Sequence, residues 1–146
     1  MTPAHRPATG ESSVVSIAHQ RLSALFDPGT VELLAGDPAR GALSAHGTLR
    51  GVPAVAFATD PGYRGGSLAV ADCDAIIAGH SFALEHGRPI LGIWHSGGAG
   101  LAEGARTMDR VARMMRSIAA ASGRILHLSV VLGPSAGAAA YASTLA

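Results

Sequence analysis

The sequence contains no lysine; all 11 of its basic residues are arginine. A Schiff-base lysine, a lysine nucleophile and the phosphate-gripping lysine of a P-loop are thereby excluded, and no Gly-Lys-Ser/Thr signature occurs. Cys73 is the only cysteine, so neither an internal disulfide nor a multi-cysteine zinc site can form. Aromatic residues make up 4% of the chain and the formal net charge is +1, a poor match to nucleic-acid binding, which needs a basic face and stacking rings. Charged residues are scarce too, at 14% against about 25% in an ordinary globular domain. With 48% hydrophobic content over 146 residues the chain can build a core, yet it has little polar material to cover a surface. Much of that surface is expected to be buried by more chain or by other subunits.

Residues 1–16 are rich in Pro, Thr, Ser and Ala and lack an apolar core of signal-peptide length, so they read as a disordered lead-in to a cytoplasmic protein. Residues 125–146 carry no formal charge and have the length of a membrane span. Gly133-Pro134 interrupts them after a strand-length run, and His127, Ser129 and Ser135 dilute them, so no membrane segment is expected. Between these ends, apolar spacing predicts a helix over residues 14–26 that Asp27-Pro28-Gly29 stops. Strands are predicted at 42–49 and 52–59, joined at Arg50-Gly51. The pattern then alternates: helix 67–86, strand 89–94, helix 103–121, strand 124–132, and a helix from 135. That alternation argues for a layered α/β fold.

Two glycine-rich stretches carry the chemistry. Ile93-Trp94-His95-Ser96-Gly97-Gly98-Ala99-Gly100 and Gly133-Pro134-Ser135-Ala136-Gly137-Ala138-Ala139 each follow a strand-like run and precede a helix. Strand-to-helix junctions leave backbone N–H groups without partners. Small residues there let a carbonyl approach the main chain, so a pair of junctions can stabilise negative charge developing on a thioester oxygen. A glycine pair after a strand is as often a tight turn, and either stretch alone supports both readings. Gly65-Gly66-Ser67 reads likewise as a ligand-contacting loop or as a turn followed by an N-cap.

The order of these pieces resembles the carboxyltransferase (beta) subunit of biotin-dependent acyl-CoA carboxylases, of the propionyl-CoA carboxylase kind. The matching blocks are Arg21-Leu22 with the run LFDPGTVE at residues 25–32, Gly65-Gly66-Ser67-Leu68, Ser96-Gly97-Gly98-Ala99 with Glu103-Gly104, and Gly133-Pro134 with Ala136-Gly137 and Tyr141. The resemblance implies a crotonase-like spiral of ββα units, incomplete in this chain, with residues 17–146 forming the first part of the N-terminal carboxyltransferase domain. It implies transfer of carboxylate from carboxybiotin to the α-carbon of a short acyl-CoA. The implied partners are a biotin carboxylase and biotin carrier subunit and further copies of the chain in a homo-hexamer.

Under this resemblance Gly98 and Ala99 present the first amides to an enolate and Gly137 and Ala138 line the opposite side. Gly65, Gly66, Ser67, His95, Ser96 and Gly97 contact substrate, and no metal is implied. In that family the biotin ring is assigned the proton abstraction, which accounts for the lack of a catalytic triad. A complete subunit has a second, related domain, so this chain reads as a fragment or as a protein that needs a second chain. Its single cysteine sets it apart from bacterial carboxyltransferase subunits with a four-cysteine zinc ribbon.

The chain departs from the family pattern at chemically important positions. The family usually has Asp-Ser-Gly-Gly-Ala-Arg, where this chain has His95 before the serine and Gly100 after the alanine. Asp72 and Ala75 replace a histidine and a basic residue, Ser135 stands where cysteine is common, and Ala138 replaces a glycine. An acyl-CoA decarboxylase, a hydrolase or isomerase of the same fold, and a non-catalytic assembly subunit therefore remain as alternatives.

The helix at 103–121 sorts Arg106, Arg110, Arg113 and Arg116 to one side and Met108, Val111, Met115 and Ile118 to the other. The basic side reads as a solvated surface or as a wall for CoA phosphates or a partner. His95 reads as an acid or base beside the first glycine stretch, or as a hydrogen-bonded spacer in the room of the usual aspartate. His80, His86 and His127 read as structural, and the spacing of His80 and His86 is not that of a helical metal pair. Asp72 and Asp74 read as a solvated helix start, and Glu103 as the same for the next helix.

Overall fold

The computed structural model describes residues 15–146. The expected disordered lead-in therefore lies, apart from Val15 and Ser16, outside the described residues. The elements in chain order are α1 (Ile17–Leu25), β1 (Glu32–Asp37), β2 (Arg40–Leu49), β3 (Val52–Ala58), a 3-10 turn (Arg64–Gly66), α2 (Val70–His86), β4 (Ile90–Ser96), α3 (Ala105–Ala121), β5 (His127–Ser135) and α4 (Gly137–Ser143). The strands form one sheet in the order β1-β2-β3-β4-β5. β1, β2 and β3 run antiparallel, whereas β3, β4 and β5 run parallel.

Alternation along the central strands explains how one sheet holds two apolar layers. In β3, Val55 and Phe57 join the layer under α2, α3 and α4 with Ile76, Ile90, Trp94, Met114 and Ile118. Ala54, Ala56 and Ala58 face the other way, toward Ala18, Leu22 and Phe26 around α1. A strand covered on both faces reads as a continuous apolar run, which is the pattern of residues 52–59. The β2–β3 hairpin closes through Arg50 (φ 49°) and Gly51 (φ 78°), the two positive φ values that a tight turn of matching twist requires. Asp27 pins that turn, accepting hydrogen bonds from the N–H groups of Arg50 (3.0 Å) and Gly51 (2.8 Å) and from the Thr48 hydroxyl (2.6 Å). The Thr48 bond, followed by that of Gly51, holds the Asp27 carboxyl below its ordinary value.

Several elements differ from the sequence expectation. β1 was not predicted; it is an edge strand with two register irregularities, so its side chains lack the alternation that marks a half-buried strand. α2 begins at Val70, after the Gly65–Ser67 turn. β5 passes through Gly133 and Pro134 to Ser135 instead of ending before them, since an edge strand tolerates proline and a register shift against β4 absorbs it. The core face of α3 is Thr107, Val111, Met114, Ile118 and Ala121; Met108 is 47% exposed and Met115 only partly buried. Among the described residues, no helix is long and apolar enough to cross a membrane.

Candidate active site

The site is built where β4 and β5 end, on the side toward α4. Thr59, just past β3, holds the backbone of His95 at both polar groups. Its Oγ1 accepts from the His95 N–H (2.8 Å), and its hydroxyl donates to the His95 carbonyl (3.0 Å). The next residue, Ser96, is fully buried. Its hydroxyl donates to the Gly66 carbonyl and accepts from the Gly98 N–H (3.1 Å). Gly97 N–H donates to Gly65 (3.1 Å), Leu68 N–H to Gly98 (2.7 Å) and Gly100 N–H to Leu68 (2.8 Å). The Gly65-Gly66-Ser67-Leu68 stretch thus acts as a brace beneath the first glycine loop.

The second loop is tied to the first. Ala136 N–H donates to the Ser96 carbonyl (3.0 Å). Gly98 (φ +94°) packs so closely that a Cβ there would lie 2.8 Å from the Ala136 carbonyl oxygen and 3.5 Å from the Gly137 Cα. Only glycine fits at that contact. Of the four amides that the sequence singled out, Gly98's is already occupied by Ser96. Those of Ala99, Gly137 and Ala138 donate to no protein atom among the described residues, the last two because they open the first turn of α4. Unpaired amides on two adjoining loops are the kind of donor that stabilises a developing oxyanion.

Beside the brace lies a cleft that the sequence reading did not single out. A cavity of about 490 Å³ is lined by Arg40, Tyr63, Arg64, Asp72 and Glu103 among others. A smaller one of about 100 Å³ shares Arg64 and Glu103 with it and reaches Ser67 and Gly100. The only local signal was the Tyr63-Arg64 pair ahead of the glycines; the Arg64 guanidinium lies 5.1 Å from the Tyr63 ring centre.

The acids next to this cleft correct the sequence reading. Asp72 is buried, not solvated: it accepts from the Ala69 N–H at the start of α2 (2.8 Å) and from the Ala42 N–H in β2 (2.6 Å). Glu103 precedes α3 and accepts from Val70 N–H (2.9 Å), so it caps α2 and not its own helix. Asp74 pairs with Arg110 (3.5 Å) and Asp109 with Arg113 (2.8 Å), which leaves Arg106 and Arg116 as the unpaired members of the basic face among the described residues.

His80 and His127 are buried between α2 and the start of β5, with ring centres 5.0 Å apart. His80 Nδ1–H donates to the Ile76 carbonyl (2.9 Å), and burial pushes the ring's pKa down to about 4. Burial lowers His127 as well. Burial, with Asp72 adding to it, pushes the Cys73 thiol up to about 12, which removes it as a nucleophile at neutral pH.

Comparison with known proteins fits this geometry. The family model described as the carboxyl transferase domain matches residues 18–146. The chain belongs to that family. It is 45% identical over 138 residues to the biotin-dependent acetyl-/propionyl-coenzyme A carboxylase beta6 subunit of Mycobacterium tuberculosis, a match that covers 94% of this chain and 29% of that protein. The chain thus spans under a third of the length of such curated relatives. Among solved structures it resembles transcarboxylase 12S with methylmalonyl-coenzyme A bound (TM-score 0.81, 28% identity, 88% of this chain and 28% of that one). It also resembles the Pseudomonas malonate decarboxylase MdcD-MdcE hetero-dimer (TM-score 0.78, 27% identity, 90% and 61%). The fold is accordingly that of the crotonase-like carboxyltransferases, with β2, β3 and α2 as one ββα unit and the chain covering only part of the domain.

Proposed function

We propose that this chain is the first part, residues 17–146, of the N-terminal domain of a carboxyltransferase that moves a carboxylate onto the α-carbon of a short acyl-CoA. The observation that carries the reading is the convergence of two glycine loops with the Ala99, Gly137 and Ala138 amides unpaired. Biotin, brought by a partner carrier subunit, supplies the activated carboxyl group when bound. The chain's own part is to bind the thioester and hold its oxygen while the α-carbon carries negative charge. Preorganised amides do this without reorganising during the reaction. The cleft along Arg64, Ser67 and Gly100 ends one residue from Ala99 and offers a path for the pantetheine arm. The protein is read as cytoplasmic and as part of a homo-hexamer. Leu126, Leu128, Val131 and Leu132, all more than half exposed around β5, supply an apolar edge for the remaining domain or a partner to cover.

A second reading, acyl-CoA decarboxylation on the same amides, is favoured by the likeness to malonate decarboxylase and by His95 and Gly100 in place of the family's aspartate and arginine. One assay separates them. Carboxybiotin-dependent carboxylation of propionyl-CoA is compared with biotin-independent loss of CO2 from malonyl- and methylmalonyl-CoA. Carboxylation by the full-length subunit supports the first reading, and biotin-independent decarboxylation the second.

A further inference from the structure

We infer that Arg21 is a positioning residue that holds His95 in the Nε2–H tautomer, so that His95 faces an acyl-CoA as a hydrogen-bond donor and not as a base. The placement of the proton follows from this chain's geometry; the use of the donor rests on the acyl-CoA reading above.

Arg21 reaches from α1 to the end of β4, where its Nη2 lies 3.3 Å from the His95 Nδ1. A guanidinium carries N–H donors and no lone pair, so it can only donate. Nδ1 must therefore offer its lone pair, and the single proton of a neutral imidazole sits on Nε2. The ring has little freedom to choose otherwise. A Cβ on Gly133 would stand 2.5 Å from its Cε1 and Nδ1 atoms, so the ring lies directly against that strand. Thr59 fixes the backbone of His95 from the other side of the peptide.

No carboxylate competes for this pair. Among the described residues, no Asp or Glu lies within ion-pair distance of either Arg21 or His95. The Arg21 Nη1 is buried and has no hydrogen-bond partner among the described residues. Among the described residues the pair is thus donor-only: a guanidinium without a counter-charge and an Nε2–H that donates to no protein atom. An Nε2–H held beside this uncompensated charge suits an anionic acyl group, a carboxylate or an enolate oxygen, while the buried Arg21 Nη1 stays inside the fold. It does not suit proton abstraction, because Nε2 has no lone pair to receive the proton.

The test reads the tautomer directly. The 15N-labelled chain is examined at neutral pH by long-range proton–nitrogen correlation, which separates a protonated ring nitrogen from a bare one. His95 is expected to show a bare Nδ1 and a protonated Nε2. Arg21→Glu, which replaces the donor with an acceptor, should move the proton to Nδ1; Arg21→Met should give a mixture, and serves if the glutamate variant does not fold. A protonated Nδ1 in the parent, or a tautomer that neither substitution alters, overturns the inference. For the donor role, malonyl-CoA and acetyl-CoA are titrated in turn. Malonyl-CoA should shift the Nε2 signal, and His95→Leu should weaken its binding by about tenfold or more, as for a hydrogen bond to a charged group. His95→Gln, which keeps a donor, should restore it, while acetyl-CoA binds all forms alike. Malonyl-CoA binding with Nε2 unmoved overturns the donor role alone. If neither thioester binds while the tautomer is as stated, the acyl-CoA reading falls and the positioning by Arg21 stands.

Discussion

Lowering the pH from 7.5 to 5 should destabilise this protein mainly through His80, and the effect should shrink in His80→Phe to the part that His127 contributes. The imidazole is fully buried in α2 between Phe57 (ring centres 5.4 Å apart) and His127 (5.0 Å), and its Nε2 has no partner among the described residues. Burial is the main reason its pKa falls from 6.5 to about 4. Between those two values the unfolded chain holds the proton and the folded chain does not. Stability is therefore complete above pH 6.5, declines as the pH falls below it, and has lost the whole contribution near pH 4. Each pH unit in that window is worth about 1.4 kcal/mol, so at pH 5 the loss from His80 is about 2 kcal/mol. His127, lowered by the same burial, acts in the same direction. Asp27, held below its ordinary value of 3.8, contributes to pH dependence only at lower pH and does not enter the window. Urea unfolding followed by circular dichroism at both pH values measures the change, with an unchanged slope against denaturant showing that only stability has moved. Phenylalanine keeps a flat ring against Phe57 and removes the titration. Equal pH dependence in the parent and His80→Phe would refute the reasoning.

Other outcomes follow from the same packing and hydrogen bonds. Met114→Ala, at a fully buried position, should cost about 2–5 kcal/mol in urea unfolding, whereas Met108→Ala should stay within about 0.5 kcal/mol. Ala99→Pro removes an unpaired amide and should lower acyl-CoA turnover by about 10²–10³-fold with little change in the melting curve; equal loss of stability would assign the loop a structural role only. Ser96→Ala strips the partner from the Gly98 amide and from the Gly66 carbonyl, so its main effect should be about 1–3 kcal/mol of lost stability. Lost turnover in Ser96→Ala at unchanged stability would point instead to a serine nucleophile.

The sequence made the parallel part of the fold legible because burial on both faces leaves a simple trace. Residues 52–59 and 89–94 are apolar almost throughout, and β3 and β4 lie within one or two residues of them. β1 left no such trace, since its residues are exposed or half-buried in no regular order and its pairing slips twice. Apolar residues at helical spacing place the α3 stripe through Met108 and Met115. Small Thr107 and Ala121 lie on the true face, and a face that includes a buried threonine hydroxyl is invisible to a hydrophobicity count.

At the site, the two loops were legible as junctions, but the state of each amide was not. Whether Gly98 N–H is free depends on where the Ser96 hydroxyl turns, and that is set by Gly66, 30 residues away in the chain. The acids are opaque for the same reason: sequence places Asp72 and Glu103 at the starts of their own helices, while their partners include Ala42 and Val70, 30 and 33 residues distant. These long-range bonds also explain how the site tolerates change. Thr59 grips the main chain of residue 95 and Ser96 grips that of Gly98, so the amides keep their places whichever side chain residue 95 carries. On the acyl-CoA reading proposed above, a histidine in place of the family's aspartate changes the side-chain chemistry at residue 95 without moving the amides of the two loops. If that reading holds, divergence in this chain should appear in which bond to the carboxylate is made or broken, with enolate stabilisation by the loop amides unchanged.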